Sequence, residues 1–166
     1  MKKAIILGSP GSGKSCFAAK LQKLTGLPLI HLDSIWWKAD KSHISRPEFD
    51  AQLAAILEQE SWLIDGDYSR TYEVRIKSCD TAFFLDYSLE QCVEGIKSRV
   101  GTIRSDIPWV DEQLDPVLLE KVLEYRQTNR PTVLELVKKH RVPNVIIFQT
   151  RQESDEYLAK LAAQPK

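Results

Sequence analysis

A short run near the start of the chain combines glycines, a lysine and hydroxyl groups in a spacing suited to binding phosphate. Residues 8–15 match the pattern GxxxxGK[ST] at each fixed position, between an apolar run that predicts a strand and a predicted helix. Glycines let backbone amides turn toward phosphate oxygens, and the positive end of the following helix acts at the same place. We expect a nucleoside triphosphate to bind here, through Gly8, Ser9, Pro10, Gly11, Ser12, Gly13, Lys14, Ser15 and Cys16.

Lys14 and Ser15 have the side chains of this loop that are suited to phosphoryl-transfer chemistry. We expect the Lys14 ammonium to act as a catalytic group on the β- and γ-phosphates of ATP, and the Ser15 hydroxyl to ligate Mg²⁺. The alternative is a glycine-rich turn in which both residues are incidental. The match at every fixed position and the predicted flanking elements disfavour that alternative. ATP and Mg²⁺ are therefore the expected cofactors.

Six arginines are candidates for holding phosphates or a phosphoryl acceptor, because a planar guanidinium can bind two phosphate oxygens at once. Arg99 and Arg104 flank or enter an irregular segment, residues 101–113, that is long enough to form a lid; an ordinary surface connection is the alternative. We expect Arg99 to bind the nucleotide and Arg104 to bind it and act in catalysis. Two or three of the six are expected to face the cleft, and the acceptor-side candidates are Arg70, Arg75, Arg126 and Arg130.

Asp33 and a tryptophan pair follow the second predicted strand. Open α/β sheets bind ligands at the carboxyl ends of their strands, so Asp33 is expected to hold an acceptor hydroxyl or to accept its proton. The alternative is an ordinary turn carboxylate. Trp36 and Trp37 are expected either to form an aromatic wall for a base or ring, with Trp36 contacting the acceptor, or to anchor a helical flap.

Short apolar runs alternate with longer amphipathic ones along the chain, which is typical of a parallel sheet covered by helices. This pattern predicts an α/β fold with all 166 residues in one domain. Pro131 must start, kink or interrupt the longest helix because it lacks an amide hydrogen. The predicted strands lie near 3–7, 28–32, 61–65, 81–86 and 144–149, and the predicted helices at 15–25, 47–60, 89–100, 116–140 and 155–163.

Motifs along nearly the whole chain resemble the adenylate-kinase-like P-loop kinases, and within them the bacterial DNA topology modulation proteins. The likeness is carried by 8–15, His31-Leu-Asp-Ser-Ile-Trp-Trp37, Trp62-Leu-Ile-Asp-Gly-Asp-Tyr68, 80–86 and Arg130-Pro131. It implies a three-layer P-loop NTPase fold whose five parallel strands run in the order 2-3-1-4-5, with a lid between the fourth helix and the long helix. The lid is short, as in shikimate kinases, which argues against AMP as the acceptor.

The implied strand order bears on the metal site. It places the strand that ends at Asp65 next to the first strand, so Asp65 would lie beside Ser15 and could orient the water ligands of Mg²⁺. A turn aspartate at a strand end is the alternative for Asp65. Asp86 also ends an apolar run and is the rival metal carboxylate, although the resemblance places it before a helix that Ser88 and Glu90 would begin.

Composition excludes several classes of protein. Lys+Arg and Asp+Glu both number 23, so the net charge is zero and a direct nucleic-acid partner, which would need a basic face, is not expected. Three separated cysteines fit neither a disulfide framework nor a zinc cluster, and no apolar stretch approaches the ~20 residues of a membrane span. We expect a cytoplasmic protein that is a monomer or weak dimer, with no membrane partner.

Three functions follow from these observations. The first is a kinase that transfers the γ-phosphoryl group of ATP·Mg²⁺ to a small acceptor, either a nucleoside monophosphate or a hydroxyl metabolite. The second is an ATP-binding or ATP-hydrolysing regulator, linked to DNA topology, with no small-molecule acceptor. A direct action on DNA is the third, which the neutral charge disfavours. The chain lacks the NKxD motif of GTPases, and the acceptor-side residues favour a kinase.

Overall fold

The computed structural model describes residues 1–104 and 106–164. Its centre is a sheet of five parallel strands in the order β2-β3-β1-β4-β5, as predicted. Parallel strands have their carboxyl ends at one edge, so the segments that follow β1, β2 and β3 meet there. The strands are β1 Lys3–Gly8, β2 Leu29–His31, β3 Trp62–Asp65, β4 Thr81–Leu85 and β5 Asn144–Phe148.

Helices cover both faces of the sheet because alternate residues of each central strand point to opposite sides. Ile5 of β1 belongs to a core formed with α3, α4 and α7, whereas Ile6 belongs to a core formed with α1, α5, α6 and α8. This gives the predicted three layers. The helices are α1 Lys14–Thr25, α2 Leu32–Trp36, α3 Arg46–Leu57, α4 Tyr72–Ser78, α5 Leu89–Lys97, α6 Pro116–Glu124, α7 Asn129–Lys139 and α8 Arg151–Ala162, and a 3₁₀ turn spans Ser69–Thr71.

The long helix predicted over 116–140 is wrong as a continuous element. It is divided into α6 and α7 by a turn at residues 125–128. Pro131 is the third residue of α7, where its missing amide hydrogen breaks no intrahelical bond. A continuous helix would place Arg126 and Arg130, which are four positions apart, on one face, but Arg126 lies in the turn and Arg130 in α7.

Local capping explains where other helices begin. Ser88 caps α5 by accepting a hydrogen bond from the Gln91 amide, as predicted for this helix start. Thr150 caps α8 in the same way, so α8 begins at Arg151, four residues before the predicted start. The short helices α2 and α4 were not predicted from the sequence pattern. Neither is long enough to show a clear hydrophobic period.

Ser105, Pro165 and Lys166 lie outside the described residues, so the predicted lid is described as 101–104 and 106–113. Every helix in the described part of the chain is too short or too polar to cross a membrane.

Candidate active site

The loop between β1 and α1 has the geometry of a phosphate cradle. Gly8, Gly11 and Gly13 have φ values of 149°, 80° and 88°, which favour glycine and let the backbone wrap around a small volume. No side chain caps α1, so the amides of its first turn remain available to an anion. The Ser12 hydroxyl is buried without a hydrogen-bond partner among the described residues. Such an arrangement fits phosphate oxygens as acceptors for these donors.

Lys14 is buried in this cradle, with 6% of its surface exposed. Its Nζ donates to the carbonyl oxygens of Gly8 and Ser9, both at 3.0 Å. Burial lowers the pKa of Lys14, with Asp67 and Asp65 acting in the opposite direction. A buried ammonium held only by carbonyl oxygens favours an incoming anion, because the anion would compensate its charge.

Helix α5 supports the phosphate-binding loop through close backbone contact. A Cβ atom on Gly95 would lie 1.9 Å from the carbonyl oxygen of Gly11, and one on Gly11 would lie 2.0 Å from the carbonyl oxygen of Cys92. Arg151 at the start of α8 also donates to the Gly11 carbonyl, at 3.1 Å. Sequence reasoning assigned no role to Gly95 or Arg151, because a lone glycine in a helix and a lone arginine carry no distinctive spacing.

An open cleft of about 750 Å³ extends from this loop along the carboxyl edge of the sheet. It has a donor half, defined by Lys14, Ser15, Arg99, Arg104 and Asp106, and an acceptor half, defined by Asp33, Trp36, Phe49, Asp65, Asp67 and Tyr68. Of the residues expected at the site, the structure brings to the cleft Pro10, Lys14, Ser15, Asp33, Trp36, Asp65, Arg70, Arg99 and Arg104.

Asp33 lies in the first turn of α2, two residues beyond the end of β2 rather than on the strand. Its Oδ1 accepts a hydrogen bond of 2.8 Å from the Tyr68 hydroxyl. Burial raises the pKa of Asp33, and the negative charges of Asp65 and Asp106 act in the same direction, while the Tyr68 hydrogen bond opposes them. A carboxylate with a raised pKa is a better proton acceptor than an exposed one.

Aromatic rings surround Asp33 on the acceptor half. Trp36 stacks on His43 with ring centroids 4.4 Å apart and meets the edges of Phe49 and Tyr68. Trp37 packs against Trp109 of the lid, with centroids 5.6 Å apart. Trp36 and Trp37 both line the cleft, and Trp37 also joins the α2 segment to the lid.

Asp65 ends β3 and is buried, with 3% of its surface exposed. Its Oδ2 is 2.9 Å from His31 Nδ1, and this hydrogen bond raises the pKa of His31. Its Oδ1 has no hydrogen-bond partner among the described residues. The rival carboxylate, Asp86, is held by both nitrogens of an Arg130 fork at 2.7 and 2.8 Å.

The available donors fit a magnesium ion. No group of three or more His, Cys, Asp or Glu side chains among the described residues could hold a metal by itself. Magnesium in nucleotide sites needs less, because water and phosphate oxygens complete its shell around one or two protein ligands. The Ser15 hydroxyl and the partnerless Oδ1 of buried Asp65 both line the cleft and are oxygen donors of the right kind.

The lid contributes a carboxylate, Asp106, that was not singled out from the sequence. Asp106 accepts a hydrogen bond of 2.8 Å from the Ser15 hydroxyl, and its backbone oxygen accepts one of 3.1 Å from Ser34. Arg104 donates to both oxygens of the same carboxylate, at 3.0 and 2.5 Å. Although burial opposes the change, this ion pair lowers the pKa of Asp106. The lid therefore lies over the phosphate loop with Arg104 engaged by its own neighbour.

Arg99, at the base of the lid, is half-buried and lines the cleft. Burial lowers its pKa, and the positive charge of Arg104 acts in the same direction. Its side chain makes no hydrogen bond to any described residue in this arrangement. It is thus a second cation available to the nucleotide, beside Lys14.

Of the other expected arginines, Arg75, Arg126 and Arg130 do not line the cleft, and Arg70 reaches only its mouth. Arg75 is fully buried and donates to Thr71 and to three backbone oxygens, so it is a structural residue rather than an acceptor ligand. Arg130 is occupied by Asp86, and Arg126 lines a separate small cavity next to Ser9. Arg70 reaches the cleft mouth but forms a two-pronged ion pair with Asp50.

Solved structures with the same architecture are P-loop kinases. The chain matches a shikimate kinase from Acinetobacter baumannii in complex with shikimate with a TM-score of 0.62 at 13% identity, covering 97% of this chain and 91% of that chain. It matches a gluconokinase from Sinorhizobium meliloti 1021 with a TM-score of 0.54 at 17% identity, covering 98% and 90%. A sugar kinase from Janibacter sp. HTCC2649 gives 0.58 at 17% identity, covering 96% and 91%. No protein-family model and no curated protein matches the sequence. These likenesses establish the fold as that of P-loop kinases.

Proposed function

We propose that this protein is an ATP-dependent phosphotransferase that moves the γ-phosphoryl group of ATP·Mg²⁺ to a hydroxyl group of a small acceptor. One observation carries the proposal: a phosphate cradle containing Lys14 opens into the same cleft as a carboxylate of raised pKa, Asp33. A protein that only binds or hydrolyses ATP has no need of that second half. The fold likeness to kinases of shikimate, gluconate and sugars supports the same reaction class.

The chemistry follows from the residues present. The acceptor hydroxyl gives its proton to the Asp33 carboxylate while its oxygen bonds to the γ-phosphorus, and the bond from that phosphorus to the β–γ bridging oxygen breaks to release ADP. Lys14 and Arg99 balance negative charge on the phosphates as it shifts toward ADP. Ser15 and Asp65 would hold Mg²⁺, which supplies charge neutralisation on the β- and γ-phosphates when bound.

The proposal also includes expectations about domain organisation, cellular location, oligomeric state and family. They are a single domain over residues 1–166, a cytoplasmic address, a monomer or weak dimer, and kinship with the topology modulation proteins. In this proposal an effect on DNA topology would be indirect, through altered small-molecule pools. The competing function, a regulator without an acceptor, makes a different prediction for ATP turnover.

Acceptor dependence of ADP formation separates the two functions. If the protein is a phosphotransferase, the rate of ADP formation is low with ATP·Mg²⁺ alone. That rate rises severalfold or more when a mixture of hydroxyl metabolites is added. A rate that is the same with and without acceptors, in a protein that binds ATP, would favour the regulator.

Asp65→Asn is expected to raise the Mg²⁺ concentration needed for half-maximal activity about tenfold or more, because the neutral amide is a weaker ligand and its partner His31 is left without a counter-charge. Direct titration with Mn²⁺ in the presence of ATP measures the same loss without catalysis. The matched control is Asp80→Asn, which changes a carboxylate at the opposite edge of the sheet. An unchanged metal affinity would remove Asp65 from the site.

The lid is expected to be protected by ATP·Mg²⁺. Arg104 must leave Asp106 to reach the phosphates, so residues 101–104 and 106–113 should exchange amide hydrogens more slowly when the nucleotide is bound. Arg104→Ala should lower kcat about thirty- to a thousandfold, which is a larger change than the accompanying rise in KM for ATP. Equal exchange in both states, together with normal turnover of Arg104→Ala, would remove Arg104 from the phosphate site and leave Lys14 and Arg99 as its cations.

A further inference from the structure

The proposed phosphoryl transfer does not identify the acceptor. The charged residues of the acceptor half of the cleft restrict which chemical classes of acceptor can bind there. Asp33, Asp65 and Asp67 all line this half of the cleft. Tyr68 donates to Asp33, His31 pairs with Asp65, and Asp67 accepts from the Tyr72 hydroxyl and, at 3.4 Å, from Asn129. None of the three forms an ion pair with an arginine or lysine among the described residues. Lys14, whose charge acts on all three, and the Mg²⁺ assigned to Asp65 serve the nucleotide, so Asp33 and Asp67 remain the carboxylates that face an acceptor.

Three of the arginines expected on the acceptor side are committed elsewhere, whereas Arg46 and Lys121, which line the cleft and are exposed, form no ion pair with a described residue. The Arg75 guanidinium donates its hydrogen bonds to Thr71 and to backbone oxygens, and Arg130 forms an ion pair with Asp86. Arg70 stands at the mouth of the cleft but is half-exposed and tied to Asp50. Arg46 also lines the mouth and is exposed. A phosphate or carboxylate placed next to Asp33 would therefore meet carboxylates rather than guanidinium groups.

The walls of the same half are flat and apolar. Trp36 and Tyr68 present aromatic surface to the cleft, the fully buried Phe49 packs against both of them, and Trp36 also stacks on His43. Rigid aromatic faces favour a ring that can lie against them, and they favour a cationic ring or ammonium group through the negative potential of the π-system. Asp33 lies beside Tyr68 and would receive the hydroxyl of such a ring.

We infer that the acceptor is a ring-bearing alcohol that is neutral or positively charged, and that acids and monophosphates of the same ring are rejected. This inference rests on the proposed phosphotransferase function. Rejection comes from like-charge contact with Asp33 and Asp67, because Asp65 is assigned to Mg²⁺, and in a cleft of this kind it amounts to about a hundredfold or more in kcat/KM. The same carboxylates would hold an amino group on the acceptor.

Matched acceptors that differ in charge test this directly. The wild-type protein is incubated with γ-labelled ATP·Mg²⁺ and with nucleosides against their 5′-monophosphates, and with glucosamine and glucose against glucuronate. The expected result is labelled organic ester from neutral or cationic members, at rates about a hundredfold or more above those of their acidic counterparts. Equal or preferred transfer to the acidic members overturns the inference and leaves the phosphotransferase standing. No transfer to any member, with ATP bound, overturns both.

A charge variant gives a second readout. Asp67→Asn should narrow the discrimination against acidic members about tenfold, because one of the repelling charges is gone while the amide can still accept from Tyr72. Glu60→Gln makes the same change of charge in an exposed side chain that pairs with Lys2, away from the cleft, and should leave the discrimination unchanged. An equal effect of both substitutions, or of neither, would overturn the electrostatic explanation.

Discussion

Replacing Lys14 by methionine is expected to reduce kcat about a thousandfold or more and to weaken ATP binding, while the protein stays folded. The Lys14 ammonium is buried in the phosphate cradle and bonded only to the carbonyl oxygens of Gly8 and Ser9. Methionine keeps the apolar stem and removes the charge. Since an isolated buried charge carries a desolvation cost, losing it should leave the melting temperature unchanged or slightly higher.

The measurement pairs ATP titration calorimetry with thermal melting of the same samples. Lys20→Met is the matched control, because Lys20 lies on the same helix but is exposed and pairs with Asp155. It should retain wild-type ATP affinity. Unchanged ATP affinity and activity in Lys14→Met would contradict the phosphate-binding role of residues 8–15.

Asp33→Asn has the second large expected effect, a loss of about a hundred- to ten-thousandfold in phosphoryl transfer with little change in ATP·Mg²⁺ affinity. The amide cannot accept the proton of the acceptor hydroxyl. Asp33 lies on α2 with Tyr68 as its hydrogen-bond partner, whereas the nucleotide is expected to contact the loop after β1. Steady-state kinetics and ATP titration separate the two outcomes, and Asp155→Asn serves as an exposed control.

The pH dependence of kcat/KM gives a second test of Asp33 as the proton acceptor. Burial raises the pKa of Asp33, and only the deprotonated form accepts a proton, so kcat/KM should rise with pH through a pKa above that of an ordinary aspartate. Tyr68→Phe removes the hydrogen bond that opposes this shift, and should therefore move the acid limb to still higher pH. An acid limb that Tyr68→Phe leaves in place would assign the titration to another group.

The sequence predicted the sheet and the phosphate loop well because both depend on local patterns. Buried parallel strands appear as short apolar runs, and the loop motif is contiguous, so the five strands and the position of Lys14 could be predicted from local patterns, whereas the strand order 2-3-1-4-5 was implied by the family resemblance. The break between α6 and α7 could not be predicted, since residues 125–128 (Tyr-Arg-Gln-Thr) contain no glycine or proline that would mark a turn, and Pro131 fits either an interruption or a start.

The arginines show where sequence reasoning fails at the site. An arginine's role depends on which oxygens surround it, and those come from distant parts of the chain. Arg75 serves the backbone of residues 66–68, and Arg130 pairs with Asp86 across 44 positions. Asp106 was missed for the same reason, because its contact with Ser15 spans 91 positions.

The fate of the γ-phosphoryl group tests the central claim most directly. The protein is incubated with γ-labelled ATP·Mg²⁺ and a small-molecule extract of cells, and labelled organic esters are separated from inorganic phosphate. We expect a labelled ester in an amount equal to the ADP formed. The labelled ester should be absent when Lys14→Met or Asp33→Asn replaces the wild type. Label found only in inorganic phosphate, at a rate that the extract does not change, would contradict a phosphotransferase.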